Sequence, residues 1–506
     1  MAQINVSNLT FYYDGSFDNI FEKVSFSIDS NWKLGFIGRN GKGKTTFLNL
    51  LLGKYEYEGA ITTSVTFDYF PYQISSTQAE GCAVDFYEDL KPGCEFWRIL
   101  CELDKLKTDV EIMYRPFCTL SHGERTKVML AILFSGENEF LLIDEPTNHL
   151  DRDSREIVKQ YLSGKQGFIL VSHDRDLLDA CIDHVLVLNR STIEVQTGNF
   201  SCWWENKSRK DAFAEAENEK HKKEIGKLQK ASDRLGRWAE KSESTKIGFD
   251  PVKEPDRCKG TRAYIGAKTK KMQSRVKQMG QRIEREIEEK EGLLQDIENP
   301  AVLKLNPLQH YKETLLTVKD YSIRYKDAQK PVFEHLEFTL KQGDRLFLNG
   351  KNGCGKSSLI KAVLSRIGQN AETTKETGTL TIAPNLVISY INQDTSFLQG
   401  NIKDFCKEKG LDESLFCAIL RQLDMERVQF AKNMEDFSEG QKKKVLIAAS
   451  LMTPAHLYIW DEPLNYIDVF SRMQIEQLLL TYKPTMLLVE HDVRFRETIA
   501  TATVEF

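Results

Sequence analysis

The 506-residue chain has no apolar run long enough to cross a membrane; the longest, such as Val128–Phe134, fall far short of the roughly 20 residues a spanning helix needs. Its first residues, MAQINVSNLTFYY, hold no secretory hydrophobic segment, so a cytoplasmic protein without membrane association is expected. The ten cysteines form no CxxC pair and no metal-like spacing, which argues against a disulfide framework or a zinc site and for reduced thiols, mostly in the core. Positive charge is not in excess either: the formal net charge is −5, so nothing in the total suggests nucleic acid. Proline is missing from 205–246 and again from 257–299. The 41% apolar content, by contrast, is ordinary for a folded protein, and the length leaves room for three or four domains.

The proline-free stretches are rich in Ala, Glu, Lys, Gln, Arg and Leu, a composition that predicts two helices. Each arm of about 35 residues would reach roughly 50 Å, which suits a projecting hairpin better than a core. Between them Gly248, Pro251, Pro255 and Gly260 break the pattern, with Ile247, Phe249 and Val252 in the same loop. The expected organisation is a first domain over 1–204, a hairpin linker over 205–298 with its tip at about 244–262, and a second domain over 299–506. The linker holds 24 basic and 19 acidic side chains, against 45 and 55 in the remainder, so positive charge is gathered into it. From Arg257 to Lys277 there are eight Lys or Arg and no acid. Beside Phe249 and Tyr264 such a run suits phosphate contact with occasional base stacking, although a solvated Lys-rich helix face fits the same residues.

On either side of the linker lie motifs for nucleotide chemistry. The strand-like run Lys33–Ile37 leads into Gly38, Arg39, Asn40, Gly41, Lys42, Gly43, Lys44, Thr45 and Thr46, and an apolar helical stretch follows. This is GxxxxGK[ST] in its proper strand-to-helix context. The glycines let backbone N–H groups approach phosphates, Lys44 can neutralise the β and γ groups, and Thr45 can ligate magnesium. The strand Phe140–Ile143 then delivers Asp144 and Glu145 at its carboxyl end. Asp144 suits a magnesium ion and Glu145 the attacking water. His173, after the apolar run Phe168–Ser172, could hydrogen-bond the γ-phosphate.

The same landmarks return. Tyr13 and Lys44 recur as Tyr325 and Lys356, 312 residues on; Ser121, Asp144 and Glu145 recur as Ser438, Asp461 and Glu462 at 317; His173 recurs as His491 at 318. A near-constant offset means duplication of a whole domain. The second P-loop is Gly350, Lys351, Asn352, Gly353, Cys354, Gly355, Lys356, Ser357, followed by Ser358. The implied fold class is α/β, two tandem P-loop domains joined by a long helical hairpin.

Leu120, Ser121, His122, Gly123, Glu124 and Phe437, Ser438, Glu439, Gly440, Gln441 resemble the signature of ATP-binding cassette proteins, with each serine 23 residues before its Walker B aspartate. Gln73 and Gln393 are similar to the Q-loop of that family, whose glutamine joins Thr45, Asp144, Ser357 and Asp461 around magnesium. The resemblance implies that ATP glues the two halves together, each signature completing the other half's site, and that hydrolysis releases them. Tyr13 and Tyr325 stand where the family places an aromatic against adenine; the bland alternative is a core strand aromatic.

Two cassettes on one chain, no membrane segment and a charged hairpin between them resemble the ABC-F family. WKLGFIGRNGKGKTT, RPFCTLSHGERTKV, GFILVSHDR, GNFS, AENEK, IGA and LYIWDEPLNYIDVF followed by VEHD are most similar to its antibiotic-resistance ribosomal-protection branch, of the Lsa type. That resemblance implies a monomer with no obligate protein subunit whose linker enters the ribosomal exit site. There it meets large-subunit RNA and peptide-linked tRNA, and displaces lincosamides, streptogramin A compounds and pleuromutilins. Phe249, Lys259 and Tyr264 are then the candidate ribosome contacts. Gln73 to Ser121 spans 48 residues and Gln393 to Ser438 spans 45, too short for the inserted arm of housekeeping members, and little follows His491 to serve as a basic extension. His122 and Glu439 depart from the usual second glycine of the signature, and Leu464, Asn465, Tyr466, Ile467, Asp468 replace the TNHLD of the first copy. Both catalytic glutamates are retained, so asymmetric rather than single-site ATP hydrolysis is expected. A translation factor without a resistance role and a soluble ATPase subunit of a drug exporter stay open as alternatives.

Overall fold

The computed structural model describes residues 3–13, 19–137, 139–148, 150–189, 192–244, 303–325, 330–351, 353–368 and 374–506, with 270, 271, 274, 276–283 and 285–287 between them. The expected tip, with Phe249, Lys259 and Tyr264, and the P-loop residue Asn352 lie outside these residues. The chain divides into two compact units, one of Met1–Trp203 with Pro300–Phe506 and one of Trp204–Asn299.

In the first half of the larger unit the strands are β1 (Gln3–Phe11), β2 (Phe21–Asp29), β3 (Lys33–Ile37), β4 (Glu58–Thr62), β5 (Thr66–Phe70), β6 (Glu139–Asp144), β7 (Phe168–Val171), β8 (His184–Asn189) and β9 (Thr192–Thr197). They make an antiparallel sheet in the order β2-β1-β4 and a second sheet in the order β5-β6-β7-β3-β8-β9, parallel except for β9. Central strands of a parallel sheet are covered on both faces and therefore read as continuous apolar runs. Phe140–Ile143 and Phe168–Val171 are buried throughout for that reason. Because β7 stands between β6 and β3, the carboxyl ends of all three open on one edge of the sheet.

The second half repeats the plan with β10 (Thr314–Tyr325), β11 (Phe333–Lys341), β12 (Arg345–Asn349), β13 (Thr374–Ile382), β14 (Ile388–Ile391), β15 (Leu457–Asp461), β16 (Met486–Val489) and β17 (Ala502–Glu505). The sheets run β11-β10-β13 and β14-β15-β16-β12-β17. Its core is built on large side chains that are fully buried, among them Phe347, Tyr458, Trp460 and Phe495. Both halves are thus the same α/β domain.

The helix Phe200–Ser244 begins ahead of the charged stretch that composition marks out. Asn199 starts it, accepting from the Cys202 amide on Oδ1 at 3.0 Å, and Phe200 and Trp203 bury its first turn. At 45 residues it is about 68 Å long. Ala214, Asn218 and Ile225 share one face at helical spacing and are buried, as is Ile283 in the described helical residues 276–283, whereas most other described side chains around them are exposed. Ion pairs four residues apart, Glu219 with Lys223 and Arg282 with Glu286, both 3.2 Å, line the outer faces. Among the described residues no helix is long and apolar enough to cross a membrane.

Candidate active site

Each half carries one site on the carboxyl edge of its parallel sheet. After β3 the chain turns through Gly41 at φ 79° and Gly43 at φ 107° into the helix Lys44–Leu51. A Cβ at Gly43 would come within 2.6 Å of the Ile20 side chain, so both backbone and space call for glycine. Gly353 and Gly355 repeat the turn at φ 80° and 105° ahead of Lys356–Ser365. Lys44 Nζ donates to the carbonyls of Gly38 at 2.6 Å and Arg39 at 3.1 Å, and reaches Asn40 Oδ1 at 3.3 Å. Lys356 Nζ donates likewise to the carbonyls of Gly350 and Lys351, at 2.8 and 2.9 Å. Burial lowers the pKa of Lys44, opposed by the carboxylates of Asp468, Glu145 and Asp144.

The next residue in each P-loop meets the Walker B carboxylate. Thr45 Oγ1 donates to Asp144 Oδ2 at 3.1 Å and Ser357 Oγ to Asp461 Oδ2 at 3.1 Å. One hydroxyl and one carboxylate side by side are hard oxygen donors, which suit magnesium when water and phosphate oxygens complete the shell. Burial raises the pKa of Asp144, and it raises that of Asp461 to about 6 with help from Glu462. Tyr13 and Tyr325 are more than a third exposed rather than packed in the core, and each shares a hydrogen bond with the start of its P-loop helix. Tyr13 pairs with Thr46 Oγ1 at 2.8 Å, Tyr325 with Ser358 Oγ at 2.7 Å.

The two acids that follow the Walker B aspartates differ in state. Both stand in left-handed backbone, Glu145 at φ 50° and Glu462 at φ 49°, a strained position for a non-glycine residue that costs about 1 kcal/mol or more. Both lie 3.4 Å from the Nε2 of a histidine on the neighbouring strand end, His173 and His491 respectively. Burial, and then the adjacent Asp144, raise the Glu145 pKa to about 8; its Oε1 is buried without a hydrogen bond. Burial also holds His173 well below the ordinary histidine range, and Lys44 and Arg472 reinforce it. Glu462 is half-buried, and His491 and Asn465 overcome the desolvation and keep it below the usual carboxylate value. Asn465 Nδ2 and Gln393 Nε2 both donate to its Oε2, at 2.8 and 2.9 Å. Gln73, the counterpart of Gln393, is exposed, as Gln393 is.

The signature residues start helices. Ser121 and Ser438 cap His122–Leu133 and Glu439–Met452, and Glu124 and Gln441 close reciprocal capping boxes. Gly440 is required by packing: a Cβ there would come within 2.7 Å of the Tyr466 carbonyl oxygen. At Gly123 the near atom is Ser154 Oγ, at 2.9 Å. Glu439 accepts from Thr395 Oγ1 at 2.7 Å and pairs with Lys442 at 3.1 Å.

Residues from each half also reach the other's site. Asn40 Nδ2 donates to the Tyr466 carbonyl at 2.8 Å, and Lys351 pairs with Asp153 at 3.1 Å. Asp468, fully buried, acts electrostatically on Lys44 and His173, and Asp151 on His491. Asp151 and Asp468 were not marked as site residues by motif, though their 317-residue offset matches that of the Walker B acids. Tyr69, whose hydroxyl donates to Asp144 Oδ2 at 3.2 Å, carries no sequence signal of its own.

Two such edges, each with a P-loop, a hydroxyl beside a carboxylate and a glutamate beside a histidine, define a tandem P-loop ATPase. A family model described as ABC transporter matches residues 21–148 and 333–465, together a little over half of the chain. The chain belongs to that family and is an ATPase. Among its relatives, the ribosome protection protein VmlR of Bacillus subtilis (strain 168) is 27% identical over 493 residues, covering 96% of this chain and 83% of its own. The ATP-binding protein Uup of Buchnera aphidicola subsp. Acyrthosiphon pisum is 27% identical over 519 residues, covering 99% and 80%. These relatives support the ABC-F group within the family. Among solved structures, the archaeal ribosome recycling factor aABCE1, in complex with the stalk protein aP1, matches with a TM-score of 0.59 over 98% of this chain and 87% of that chain, at 16% identity, a likeness of fold alone.

Proposed function

We propose that the chain is a cytoplasmic, monomeric ABC-F protein of the Lsa type, which binds the ribosome with ATP, enters the exit site and dislodges lincosamide, streptogramin A and pleuromutilin antibiotics. The observation that carries this reading is the similarity to a ribosome protection protein across 96% of the chain. In this reading 1–204 and 299–506 are the cassettes and 205–298 is the arm that contacts large-subunit RNA and tRNA.

Glu145 and Glu462 act as general bases toward the attacking water, and His173 and His491 orient them and the γ-phosphate. The P-loop amides with Lys44 and Lys356 hold the phosphates, Tyr13 and Tyr325 the base, and the signatures at Ser121, Gly123, Ser438 and Gly440 close the opposite sites. Thr45, Asp144 and Gln73, and Ser357, Asp461 and Gln393, would hold magnesium, which neutralises charge on the β and γ oxygens. The 3.1 Å hydroxyl-to-carboxylate pairs favour that assignment.

Co-sedimentation of the Glu145→Gln, Glu462→Gln protein with purified ribosomes and ATP tests the reading, since blocking hydrolysis should trap the bound state. ATP-dependent binding that is lost when 244–262 are deleted, together with drug resistance on expression of the wild type, is the expected result. Binding without resistance would favour a translation factor. Failure to bind, with recovery in the membrane fraction, would favour an exporter subunit.

A further inference from the structure

The second signature helix holds its own Q-loop with two side chains one helical turn apart. Glu439 takes the Thr395 hydroxyl, as described, and Lys443 lies on the same face four residues later. Lys443 is only 2% exposed, and its Nζ donates to the carbonyls of Asn392 at 3.1 Å and Gln393 at 3.0 Å. A buried ammonium needs such partners. The carboxylates of Glu462, Asp461 and Glu490 lie near enough to act on its charge. The residue whose carbonyl Lys443 holds is the one whose side-chain amide reaches Glu462 Oε2 at 2.9 Å. A chain of contacts therefore runs from the signature helix through Lys443 and the Gln393 backbone to the glutamate.

The first half has no lysine at the matching position. The 317-residue offset puts Thr126 where Lys443 stands, and a threonine side chain ends at its γ atoms, several ångströms short of a lysine ammonium. His122 stands in place of Glu439. Both Q-loop glutamines are exposed, so it is the Lys443 contact and not burial that sets Gln393 apart, and Glu145 Oε1 is buried without a hydrogen bond.

We infer that Lys443 is a positioning residue of the second ATP site: by fixing the Asn392 and Gln393 carbonyls it keeps the Gln393 amide on Glu462, so that the base is oriented before hydrolysis. The inference rests on the reading of Glu462 as the base. The second site then meets ATP with its Q-loop in place, while the first has no lysine at the matching position to hold Gln73.

The test is steady-state hydrolysis of Mg-ATP by the full chain with the first site silenced by Glu145→Gln. Lys443→Met is expected to lower kcat about tenfold while KM stays within about twofold, because orientation and not nucleotide affinity is lost. Lys443→Arg, which keeps charge and donors, should recover at least about half of the rate, and Lys443→Met should add nothing to the loss caused by Gln393→Ala. An unchanged kcat, a rise in KM alone, or additive losses from Lys443→Met and Gln393→Ala would overturn the inference. If the Met variant does not fold, Lys443→Gln replaces it with the same expected and contrary outcomes. Glu462→Gln in the same background separates the two levels: hydrolysis that persists there overturns the assignment of Glu462 as base, whatever Lys443 does.

Discussion

Arg39, on the first P-loop, places Nη1 2.9 Å from Asp424 Oδ1 in the second half of the chain. Three residues on, Lys42 reaches Glu426 Oε1 at 2.8 Å. The duplication puts Lys351 and Cys354 in place of Arg39 and Lys42, and Lys107 and Asp109 in place of Asp424 and Glu426. Lys107 and Asp424 share a left-handed backbone, φ 52° and 63°, which supports that alignment. A lysine in each position cannot repeat the latch, and Lys351 pairs with Asp153 instead, so the two P-loops are held unequally.

The latch should show in nucleotide affinity. In a Glu462→Gln background, proposed to leave only the first site turning over, Asp424→Lys is expected to raise KM for ATP roughly fivefold, equivalent to about 1 kcal/mol for a partly buried pair. Arg39→Asp combined with Asp424→Arg should restore it. The same exchange in a Glu145→Gln background should leave KM unchanged, and an equal effect on both sites would remove the asymmetry.

A second unequal pair lies deeper. Arg175 and Glu476 are buried and bonded through both terminal guanidinium nitrogens, with Nη1 to Oε2 at 3.1 Å. The corresponding positions in the other half are Val493 and Lys159, which cannot pair. Arg175→Met alone leaves a buried carboxylate without its partner and is expected to cost about 3–5 kcal/mol. Replacing both residues by methionine should cost much less, a difference that denaturant unfolding of the three variants reads directly.

Much of this architecture is legible in the sequence, because its evidence is local: a glycine-rich turn after an apolar strand, paired acids at a strand end, and the same order again some 312 to 318 residues later. Composition also marks a helical arm, but not its start, since Phe200 and Trp203 look like core residues and the cap is a single asparagine. What the sequence hides depends on distance in the fold. Lys443 sits in a triplet of lysines with nothing to single it out, and only tertiary contact makes it a Q-loop anchor. Gly440 reads as a phosphate-binding glycine, while the structure shows a backbone carbonyl in the space a side chain would fill. The left-handed backbone of Glu145 and Glu462 leaves no trace in residue type, because glutamate is not what that conformation favours.

The glutamates themselves should be unequal. Glu462 is held ionised by its neighbours and accepts two amide donors, whereas burial favours the protonated form of Glu145. Losing a general base typically costs about 10²–10⁴ in rate. At neutral pH Glu462→Gln should therefore remove most of the steady-state ATPase activity and Glu145→Gln the smaller part, with the double variant inactive. Equal losses from the two single variants, measured as kcat, would mean that the states seen here are equalised on nucleotide binding.

Asp468 ties stability to acid. Burial pushes its carboxyl up, yet the Lys444 ammonium 3.3 Å away and the Ser471 amide hold it at about 2, below the ordinary 3.8. A depressed carboxylate stabilises the fold above its unfolded pKa, and that contribution fades as pH falls from near 4 toward 2. The shift corresponds to about 2 kcal/mol. Asp468→Asn should lower stability at pH 7, since it leaves Lys444 buried without a counter-charge. On acidification from pH 4 to 2, however, the variant should lose about 2 kcal/mol less than the wild type. Parallel stability curves for the two proteins across that window, from denaturant unfolding at each pH, would mean that Asp468 is no better stabilised in the folded chain than in the unfolded one.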